Sequence, residues 1–321
     1  MRRSGPPAFV EPQLATLVSD PPLGGEWLHE VKFDGYRMEC LLADGRARLL
    51  TRRGLDWTAR FPQVAEQLAG LPARRAVLDG EIVALLPDGR SSFQALQQVM
   101  TAEHARQVVY YVFDLLQLEE ADLSALPLSE RKLRLAKLLK GRRRDRPGTL
   151  RYSDHVKGRG AVVLRRACKL GLEGIVSKRG DAPYQSGRSR AWLKIKCLNR
   201  QEFVVVGFTE PRGGRQGIGA LLLAVHGPKG ELTYAGKVGT GMGAALLRSL
   251  RRELTAHQRS SSPIHGKAER GLGEVHWVEP RVVVEVEFTE WTDDGRLRHP
   301  SFVGIREDKP AREVKREEPA Q

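Results

Sequence analysis

The chain has 321 residues, which is long enough for two domains with separate hydrophobic cores. Its 53 Lys and Arg outnumber 39 Asp and Glu, and the net charge of +14 favours a polyanionic partner, the alternative being a generally basic protein with solvated arginines. No apolar run approaches the roughly 20 residues of a membrane span, and the first residues lack the apolar stretch of a signal peptide, so we expect a cytoplasmic protein.

The first half of the chain reads as short strands mixed with helices. Residues 1–25 carry five prolines and no periodicity, which predicts an extended leader rather than a core element. Asp44-Gly45 is a hairpin signal, and Ser129 is expected to cap a helix. The predicted strands are 27–32, 36–42, 46–52, 76–86, 108–116, 172–178 and 191–197, and the predicted helices are 91–100, 129–139 and 160–170.

The pattern changes near Leu198. Strands are predicted at 202–209, 219–226, 231–238 and 281–291, with one helix at 243–257, a mixture that suits a small, partly open barrel of the OB type. We therefore expect domains at 26–199 and 200–310. Residues 311–321 are charged and poor in apolar residues, which predicts a disordered tail.

The three cysteines, Cys40, Cys168 and Cys197, are isolated in sequence and lack the paired spacing of a zinc site or a disulfide framework. We interpret them as small buried side chains in a reducing compartment.

The segment His29-Glu-Val-Lys-Phe-Asp-Gly-Tyr-Arg37 is the sharpest chemical signal. Lys32 at a strand end suits covalent chemistry on a phosphate, because neighbouring cations or desolvation can lower a lysine pKa toward the neutral, nucleophilic form. Gly35 would let the backbone approach a ligand closely. Taken alone, the segment could equally be an ordinary turn with a solvated lysine.

Other predicted strands carry acids, an aromatic ring and more cations. Glu81 and Glu173 follow or lie on apolar strands, and Phe113 lies inside one, where an aromatic residue is usually part of the core. Lys194 and Lys196 share one strand face and would repel each other unless an anion lay between them. A solvated basic edge strand is the alternative for that pair.

Together these motifs resemble the covalent nucleotidyltransferase superfamily of ATP-dependent DNA ligases, RNA ligases and mRNA capping enzymes. The resemblance covers residues from about 10 to 310, with the motifs in the family's order. It implies an α+β fold: an ATP-grasp-like nucleotidyltransferase (adenylation) domain of antiparallel sheets with helices, followed by an OB-fold β-barrel domain.

The resemblance also implies residue roles. Lys32 matches the nucleophile that carries AMP as a lysyl phosphoramidate, and Glu173 matches an acid associated with the catalytic metal, with Asp34 a weaker candidate for that task. Glu30 lies where the family reads the adenine edge, and its neighbour Val31 is assigned to the same nucleotide site.

The remaining roles concern the rest of the nucleotide. Phe113 matches the ring stacked on adenine and Glu81 an acid on the ribose. The other matches are cations: Arg37 and Arg52 on the ribose, a phosphate or the DNA end, Lys194 and Lys196 on the α-phosphate, and Arg306 in the last motif, which orients the pyrophosphate leaving group.

Several segments look like the ligase module of bacterial LigD-type end-joining enzymes, among them Ser92-Phe-Gln-Ala-Leu-Gln97 and Pro127-Leu-Ser-Glu-Arg-Lys132. That resemblance implies DNA ends as substrate, a Ku-type end-binding partner, and polymerase and phosphoesterase modules that are often fused to this one. The two expected domains account for the chain, so it is either a free-standing ligase or an excised module. Arg53 stands where these ligases commonly have Asn or Ser, and we expect a local effect on DNA or phosphate contacts.

The implied reaction has three steps: Lys32 takes AMP from ATP, a DNA 5′-phosphate takes AMP from the lysine, and a 3′-hydroxyl displaces AMP and seals the strand. Mg²⁺ or Mn²⁺ fits the oxygen ligands. We expect a monomer whose OB domain swings about residues 198–201, with Arg142 to Arg146 on DNA phosphates. The rival interpretations are an RNA ligase or capping enzyme and a non-catalytic OB-type binding protein; the lack of a nicotinamide-reading domain disfavours use of NAD.

Overall fold

The protein is described from a computed structural model covering residues 7–101, 108–140, 148–211, 217–266, 268–269 and 271–320. It divides into two compact units: unit 1 comprises residues 1–197 with 318–321, and unit 2 comprises residues 198–317. Within the described ranges, no helix is both long and apolar enough to cross a membrane.

Unit 1 combines β-sheets with helices. Its described strands, in chain order, are β1 (Gln13–Leu17), β2 (Trp27–Val31), β3 (Tyr36–Ala43), β4 (Arg46–Thr51), β5 (Arg75–Ala84), β6 (Val108–Leu118), β7 (Ala121–Asp122), β8 (Leu150–Tyr152), β9 (His155–Lys157), β10 (Gly174–Arg179) and β11 (Gly187–Lys196). Its described helices are α1 (Pro62–Ala69), α2 (Phe93–Thr101), α3 (Leu128–Lys140) and α4 (Gly160–Lys169).

These strands form two sheets in the described part of unit 1. The first, here called the nucleophile sheet, has the order β1-β11-β10-β2-β9. The second, the aromatic sheet, has the order β4-β3-β5-β6-β7, with β8 beside β6. Apart from the parallel pairs β1–β11 and β6–β8, neighbouring strands run antiparallel.

The hairpin prediction at Asp44-Gly45 is confirmed, since both residues have positive φ, 47° and 75°, as a type I′ turn requires. The capping prediction for Ser129 is wrong. Helix α3 begins one residue earlier, at Leu128, and the backbone N–H groups of Leu128 and Ser129 donate to the carbonyls of Ala182 and Gly180. Backbone carbonyls from a distant loop therefore satisfy the first turn in place of a side chain.

The leader is extended, as predicted, but it is part of the core. Strand β1 pairs with β11, Gln13 is fully buried, and Val18 packs with Ile175 and Leu193. The prolines after Leu17 concealed this short strand, because they end its pattern after five residues.

The cysteine prediction holds for Cys40, which is buried and free, and is wrong for the other two. Cys168 and Cys197 form a disulfide with a Cα–Cα distance of 5.1 Å. Although 29 positions separate them in sequence, α4 packs on β10 and β10 pairs with β11, so the end of α4 meets the end of β11. Sequence spacing does not encode that tertiary proximity.

Unit 2 is a β-barrel-like unit with one α-helix among its described residues, α5 (Ala244–Thr255). Its main sheet has the order β14-β13-β12-β16-β15, with β17 pairing with β12 and β20. The strands are β12 (Asn199–Thr209), β13 (Leu221–His226), β14 (Leu232–Val238), β15 (Gln258–Arg259), β16 (Val275–Val278), β17 (Val283–Phe288), β18 (Glu290–Trp291), β19 (Leu297–Arg298) and β20 (Ser301–Ile305). The inner faces enclose an apolar core that includes Phe203, Leu222 and Val284, as expected of an OB-type domain.

Most of the predicted disordered tail, residues 311–317, is instead part of unit 2. A short 3-10 helix spans Ala311–Glu313, and Val314 is fully buried in the unit 2 core. Its carbonyl accepts a hydrogen bond from the His226 N–H. A single apolar residue is enough to anchor this charged segment, and average composition does not reveal it.

Candidate active site

Lys32 follows β2 directly and contacts Glu173, the residue immediately before the neighbouring strand β10. Its Nζ lies 2.5 Å from Glu173 Oε1, and the Lys32 side chain keeps 22% of its surface exposed. The Lys32 N–H donates to the carbonyl of Gly174, at 2.9 Å. A Cβ at Gly174 would lie 2.1 Å from the Ile195 carbonyl oxygen, so glycine is required where Glu173 enters β10.

Lys194 and Lys196 lie on the face that carries this pair. Lys196 is in register with Gly174, and Lys194 with Val176, which in turn pairs with Glu30. Directly paired residues point to the same side of a sheet, so Glu30, Lys32, Lys194 and Lys196 share one face. Strand β11 lies between β1 and β10. It is therefore an interior strand, and the alternative of a basic edge strand is wrong.

Glu30 lies on this face opposite Val176 and is only 2% exposed. Its Oε1 accepts a hydrogen bond from Lys132 Nζ at 2.8 Å, and its Oε2 accepts from Ser153 Oγ at 2.7 Å and Lys178 Nζ at 3.0 Å. Burial alone would raise the pKa of Glu30, but the two ammonium groups and these hydrogen bonds lower it below the ordinary value. Glu30 is therefore a fixed, ionised acceptor.

The Phe113 ring belongs to a buried cluster with Trp192 and Tyr184, which meets the expectation for an aromatic residue inside an apolar strand. Its centroid lies 5.8 Å from that of Trp192, in an edge-to-face pair. Lys178 Nζ lies 4.0 Å from the Phe113 centroid and 4.2 Å from that of Trp192. Burial lowers the pKa of Lys178 to about 8, against the raising effect of Glu30. A cation thus occupies the aromatic surface that sequence assigns to a base.

Arg37 is held by Asp79 in this structure. Its Nε and Nη2 donate to the two Asp79 carboxylate oxygens at 3.0 and 2.6 Å, and its Nη1 donates to the Gln13 carbonyl at 2.5 Å. The Tyr184 hydroxyl donates to the same Asp79 at 2.8 Å. Arg37 therefore links the aromatic sheet to β1. A phosphate or ribose that accepted a hydrogen bond from Arg37 would contact a guanidinium that is also paired with Asp79.

Asp34 is 6% exposed and lies beside the start of α2. Its Oδ2 accepts from the Phe93 N–H at 3.4 Å, and its own N–H donates to Ser91 Oγ at 3.2 Å. The adjacent Gly35 packs against β5, since a Cβ there would lie 2.1 Å from the Ile82 carbonyl oxygen. The close approach predicted for Gly35 is thus to the protein's own backbone.

The other predicted nucleotide residues of unit 1 occupy half-buried positions. Val31 ends β2 opposite Ile175. Glu81, on β5, is in register with Arg37. Arg52 lies in the turn after β4, beside the exposed Arg53, where Gly54 has a φ of 76°.

Arg306 lies in unit 2, inside an acidic cluster. It donates to both carboxylate oxygens of Asp308 at 2.9 and 2.8 Å and to Glu285 Oε2 at 3.0 Å. Lys309 Nζ donates to Glu202 Oε2 of the same cluster at 2.9 Å. The predicted phosphate contacts of Arg142 to Arg146 lie outside the described residues.

Lys132 and Arg131, on α3, are among the residues that sequence reasoning missed, as is Lys178 on β10. Arg131 is fully buried and makes a two-point ion pair with Asp114, with both N–O distances 2.8 Å. The available signal was the helix period, because both residues fall on the face of α3 that carries Leu128 and Leu135. A cation on the apolar face of a helix requires a buried anion or a ring of acceptors.

A divalent metal fits this site if Glu173 and phosphate oxygens of a substrate hold it together. The described residues contain no cluster of three or more His, Cys, Asp or Glu that could hold a metal by themselves. Mg²⁺ commonly uses one or two carboxylates together with phosphate oxygens of its substrate. The half-buried face around Glu173 supplies one such carboxylate.

Two family models match the chain. Residues 12–196 match the ATP dependent DNA ligase domain, and residues 214–309 match the ATP dependent DNA ligase C terminal region. The first match alone spans more than half of the chain. It contains all the predicted site residues except Arg306, which lies in the second.

The chain is also similar to named proteins. It is 47% identical to the multifunctional non-homologous end joining protein LigD of Pseudomonas aeruginosa, over 98% of this chain and 37% of that protein. It is 36% identical to the LigD of Mycobacterium bovis over 96% of this chain and 40% of that protein, so it spans about two fifths of the curated relatives' length.

Solved structures agree with these matches. A mycobacterial DNA ligase D complexed with ATP and MES aligns with a TM-score of 0.68 and 34% identity, covering 95% of this chain and 98% of that one. The ligase domain of Mycobacterium tuberculosis LigD aligns with a TM-score of 0.52 and 35% identity, with the same coverage. The fold is thus a nucleotidyltransferase domain followed by an OB-fold domain, and the chain belongs to the ATP-dependent DNA ligase family of enzymes.

Proposed function

We propose that this chain seals breaks between a DNA 5′-phosphate and 3′-hydroxyl through a lysyl-AMP on Lys32 and a DNA-adenylate. The observation that carries the proposal is the 2.5 Å contact between Lys32 Nζ and Glu173, on the sheet face that also carries Lys194 and Lys196. A nucleophilic amine, an acid and two cations on one face suit attack on a phosphoanhydride.

In the first step, Lys32 Nζ forms a bond to the α-phosphorus of ATP. The bond from that phosphorus to the bridging oxygen breaks, and pyrophosphate leaves with the electron pair. Glu173 contacts Lys32 Nζ and is placed to take the proton that the amine must lose. Lys194 and Lys196 hold the α-phosphate oxygens, where negative charge develops.

The base and sugar are held by residues of both sheets. Glu30 accepts from the adenine edge, with Val31 beside it, while Phe113 supports the base. Glu81, Arg37 and Arg52 contact the ribose, the phosphates or the DNA end. The two hydrogen bonds that Arg37 donates to Asp79 keep its guanidinium oriented before the ligand arrives.

A divalent metal, Mg²⁺ or Mn²⁺, would be held by Glu173 and phosphate oxygens. Bound there, it neutralises phosphate charge and makes the phosphorus more electrophilic. Asp34 is the weaker candidate for holding the metal. It accepts a hydrogen bond from the Phe93 N–H at the start of α2, which supports a role in shaping the loop after Lys32.

Unit 2 would serve two steps in turn. Arg306 would orient the pyrophosphate in the first step, and movement about residues 198–201 would then let basic surfaces, including Arg142 to Arg146, contact DNA phosphates. Such contacts release counterions, so binding of nicked DNA should weaken steeply as salt rises. A gel-shift series whose apparent Kd stayed constant with salt would contradict this.

The biological setting follows from the relatives' names. We propose repair of DNA ends by non-homologous end joining in the bacterial cytoplasm, at the nucleoid, by a monomer with a Ku-type end-binding partner and polymerase and phosphoesterase modules.

The first test is covalent labelling. The purified protein is treated with pyrophosphate to remove pre-bound AMP, then incubated with α-³²P-ATP and Mg²⁺ or Mn²⁺ and resolved by denaturing electrophoresis. Wild type should be labelled and Lys32→Ala should not, while Lys157→Ala, which removes an exposed lysine on β9, should label normally. Persistent absence of label on wild type would refute the proposal.

The second test chooses the nucleic acid. Nicked duplexes of DNA and of RNA with the same sequence are offered to the labelled enzyme, and sealed product is measured. Sealing of the DNA nick with little sealing of RNA is expected. The reverse preference would identify an RNA ligase.

A further inference from the structure

The side chain of Lys132 joins the two groups that would hold the base. Its ammonium donates to Glu30 Oε1 at 2.8 Å, the Ser153 carbonyl at 2.9 Å and the Phe113 carbonyl at 3.5 Å. An ammonium has three N–H donors, so these three acceptors use all of them. One buried cation therefore fixes the carboxylate that reads the base edge and the backbone of the ring that supports the base.

Glu30 has capacity left for a ligand. An ionised carboxylate offers about four acceptor positions and no donor. Lys132, Lys178 and Ser153 use three of them. About one position remains, and only a donor can use it.

Lys132 and Lys178 differ in where they meet Phe113. Lys178 lies over the ring, on the surface that a base would contact. Lys132 comes from α3 and meets Phe113 at its carbonyl oxygen, with the Tyr152 ring 4.6 Å from its Nζ. A base placed on that ring surface would compete with Lys178 and not with the contact between Lys132 and Glu30.

We propose that Lys132 is a positioning residue for nucleobase selection, which holds Glu30 as a fixed carboxylate that accepts the adenine amino group and repels the guanine carbonyl. The inference rests on the proposed function, in which Lys32 takes a nucleotide. Adenine presents an N6 amino donor where guanine presents the O6 acceptor. Without Lys132, only Lys178 remains as a cationic partner of Glu30, and a base on the Phe113 ring would compete with it; burial then favours a protonated Glu30, which can donate a hydrogen bond to guanine O6.

The test compares ATP with GTP. Self-labelling of Lys32 is measured with α-³²P-ATP and α-³²P-GTP for wild type and Lys132→Met, and the ratio of the two kcat/KM values is calculated. Wild type should prefer ATP, and in Lys132→Met the ratio should fall about tenfold to a hundredfold, the range of one charge-assisted hydrogen bond. Lys137→Met, at an exposed position of the same helix, should leave the ratio unchanged.

Two further variants keep the test decisive if Lys132→Met does not fold. Ser153→Ala removes one neutral donor to Glu30 and should lower the ratio severalfold, whereas Lys132→Arg keeps the charge and should retain most of the preference for ATP. If Lys132→Met, or Ser153→Ala in its place, slows labelling by both nucleotides equally, Lys132 is only structural and the inference fails while the proposed function stands. If wild type takes no label from either nucleotide, both fail.

Discussion

Two buried glutamates of unit 1 show how different neighbours shift the pKa of the same side chain in opposite directions. Glu30 and Glu39 are each 2% exposed. Glu30 meets two ammonium groups and a hydroxyl, and its pKa is lowered. Glu39, on β3, receives a backbone hydrogen bond from Val10 at 2.9 Å and is in register with Asp79. Burial raises its pKa to about 8, and Asp79 adds to that rise.

The groups that contact each of these two carboxylates, and not the depth of its burial, therefore decide whether it is ionised. Among the described residues, Glu39 Oε2 has no hydrogen-bond partner, whereas both Glu30 oxygens are occupied. The ionised glutamate lies on the face that would bind a nucleotide, and the glutamate with the raised pKa lies where β3 meets the leader.

The largest effect should come from removing the Glu30 charge. Glu30→Gln leaves Lys132 and Lys178 as buried cations without an anion, which should cost about 3–5 kcal/mol of unfolding free energy. Urea unfolding measures this, with Glu11→Gln at an exposed position as control. A loss below about 1 kcal/mol would show that burial and not pairing sets the energetics of this cluster.

The contribution of Glu173 to stability should be smaller than that of Glu30, because its partner Lys32 is partly exposed to solvent. Glu173→Gln should slow self-adenylation on the order of a hundredfold, the effect of one preorganised electrostatic contact. Stability should change much less than in Glu30→Gln. Single-turnover labelling and thermal unfolding of the same preparations separate the two effects, and an unchanged labelling rate would remove Glu173 from the reaction.

Glu39 should give a pH-dependent effect of the opposite sign. A carboxyl whose folded pKa is raised from 4.5 to about 8 binds more protons in the folded state across that window, so wild-type stability falls as pH rises through it. Glu39→Gln should be the more stable protein at pH 8 and lose this advantage near pH 4.5, at up to about 1.4 kcal/mol per pH unit. A difference that stays constant with pH would contradict the raised pKa.

The smallest effect should come from an exposed ion pair. Arg48 and Asp56 are 3.0 Å apart with side chains 60% and 43% exposed. Arg48→Ala should change the unfolding free energy by less than about 1 kcal/mol, and still less in high salt. A larger loss, comparable to that of Glu30→Gln, would mean that solvent exposure does not separate these pairs.

Most strands and helices of unit 1 that follow the leader were predictable from their own periodicity, but the 8-residue helix α1 was not predicted. The order of the motifs also identified the family, whereas the contact between Lys32 and Glu173 is seen only in the structure. The Glu30 cluster was not predictable, since Lys132 and Lys178 are 102 and 148 positions from Glu30 in sequence. Periodicity can show that Lys132 points inward, but it cannot show which anion the lysine meets.

The short elements escaped prediction for a different reason. Strands β1, β8 and β9 have three to five residues, too few for alternation to separate them from a loop. Val314 and the disulfide of Cys168 with Cys197 depend on contacts made only after the sheets have formed.

Strand β1 also protects the strand beside it. Its residues pair with β11, the Val18 N–H donates to the Lys194 carbonyl, and the Ala320 N–H donates to the Leu17 carbonyl. A shortened chain beginning at Trp27 would leave the backbone groups of β11 open along one side, where they could pair with another protein molecule. Strand β1 of the leader thus covers this side of β11, and a shortened version of the domain has to retain β1 to avoid aggregation through that edge.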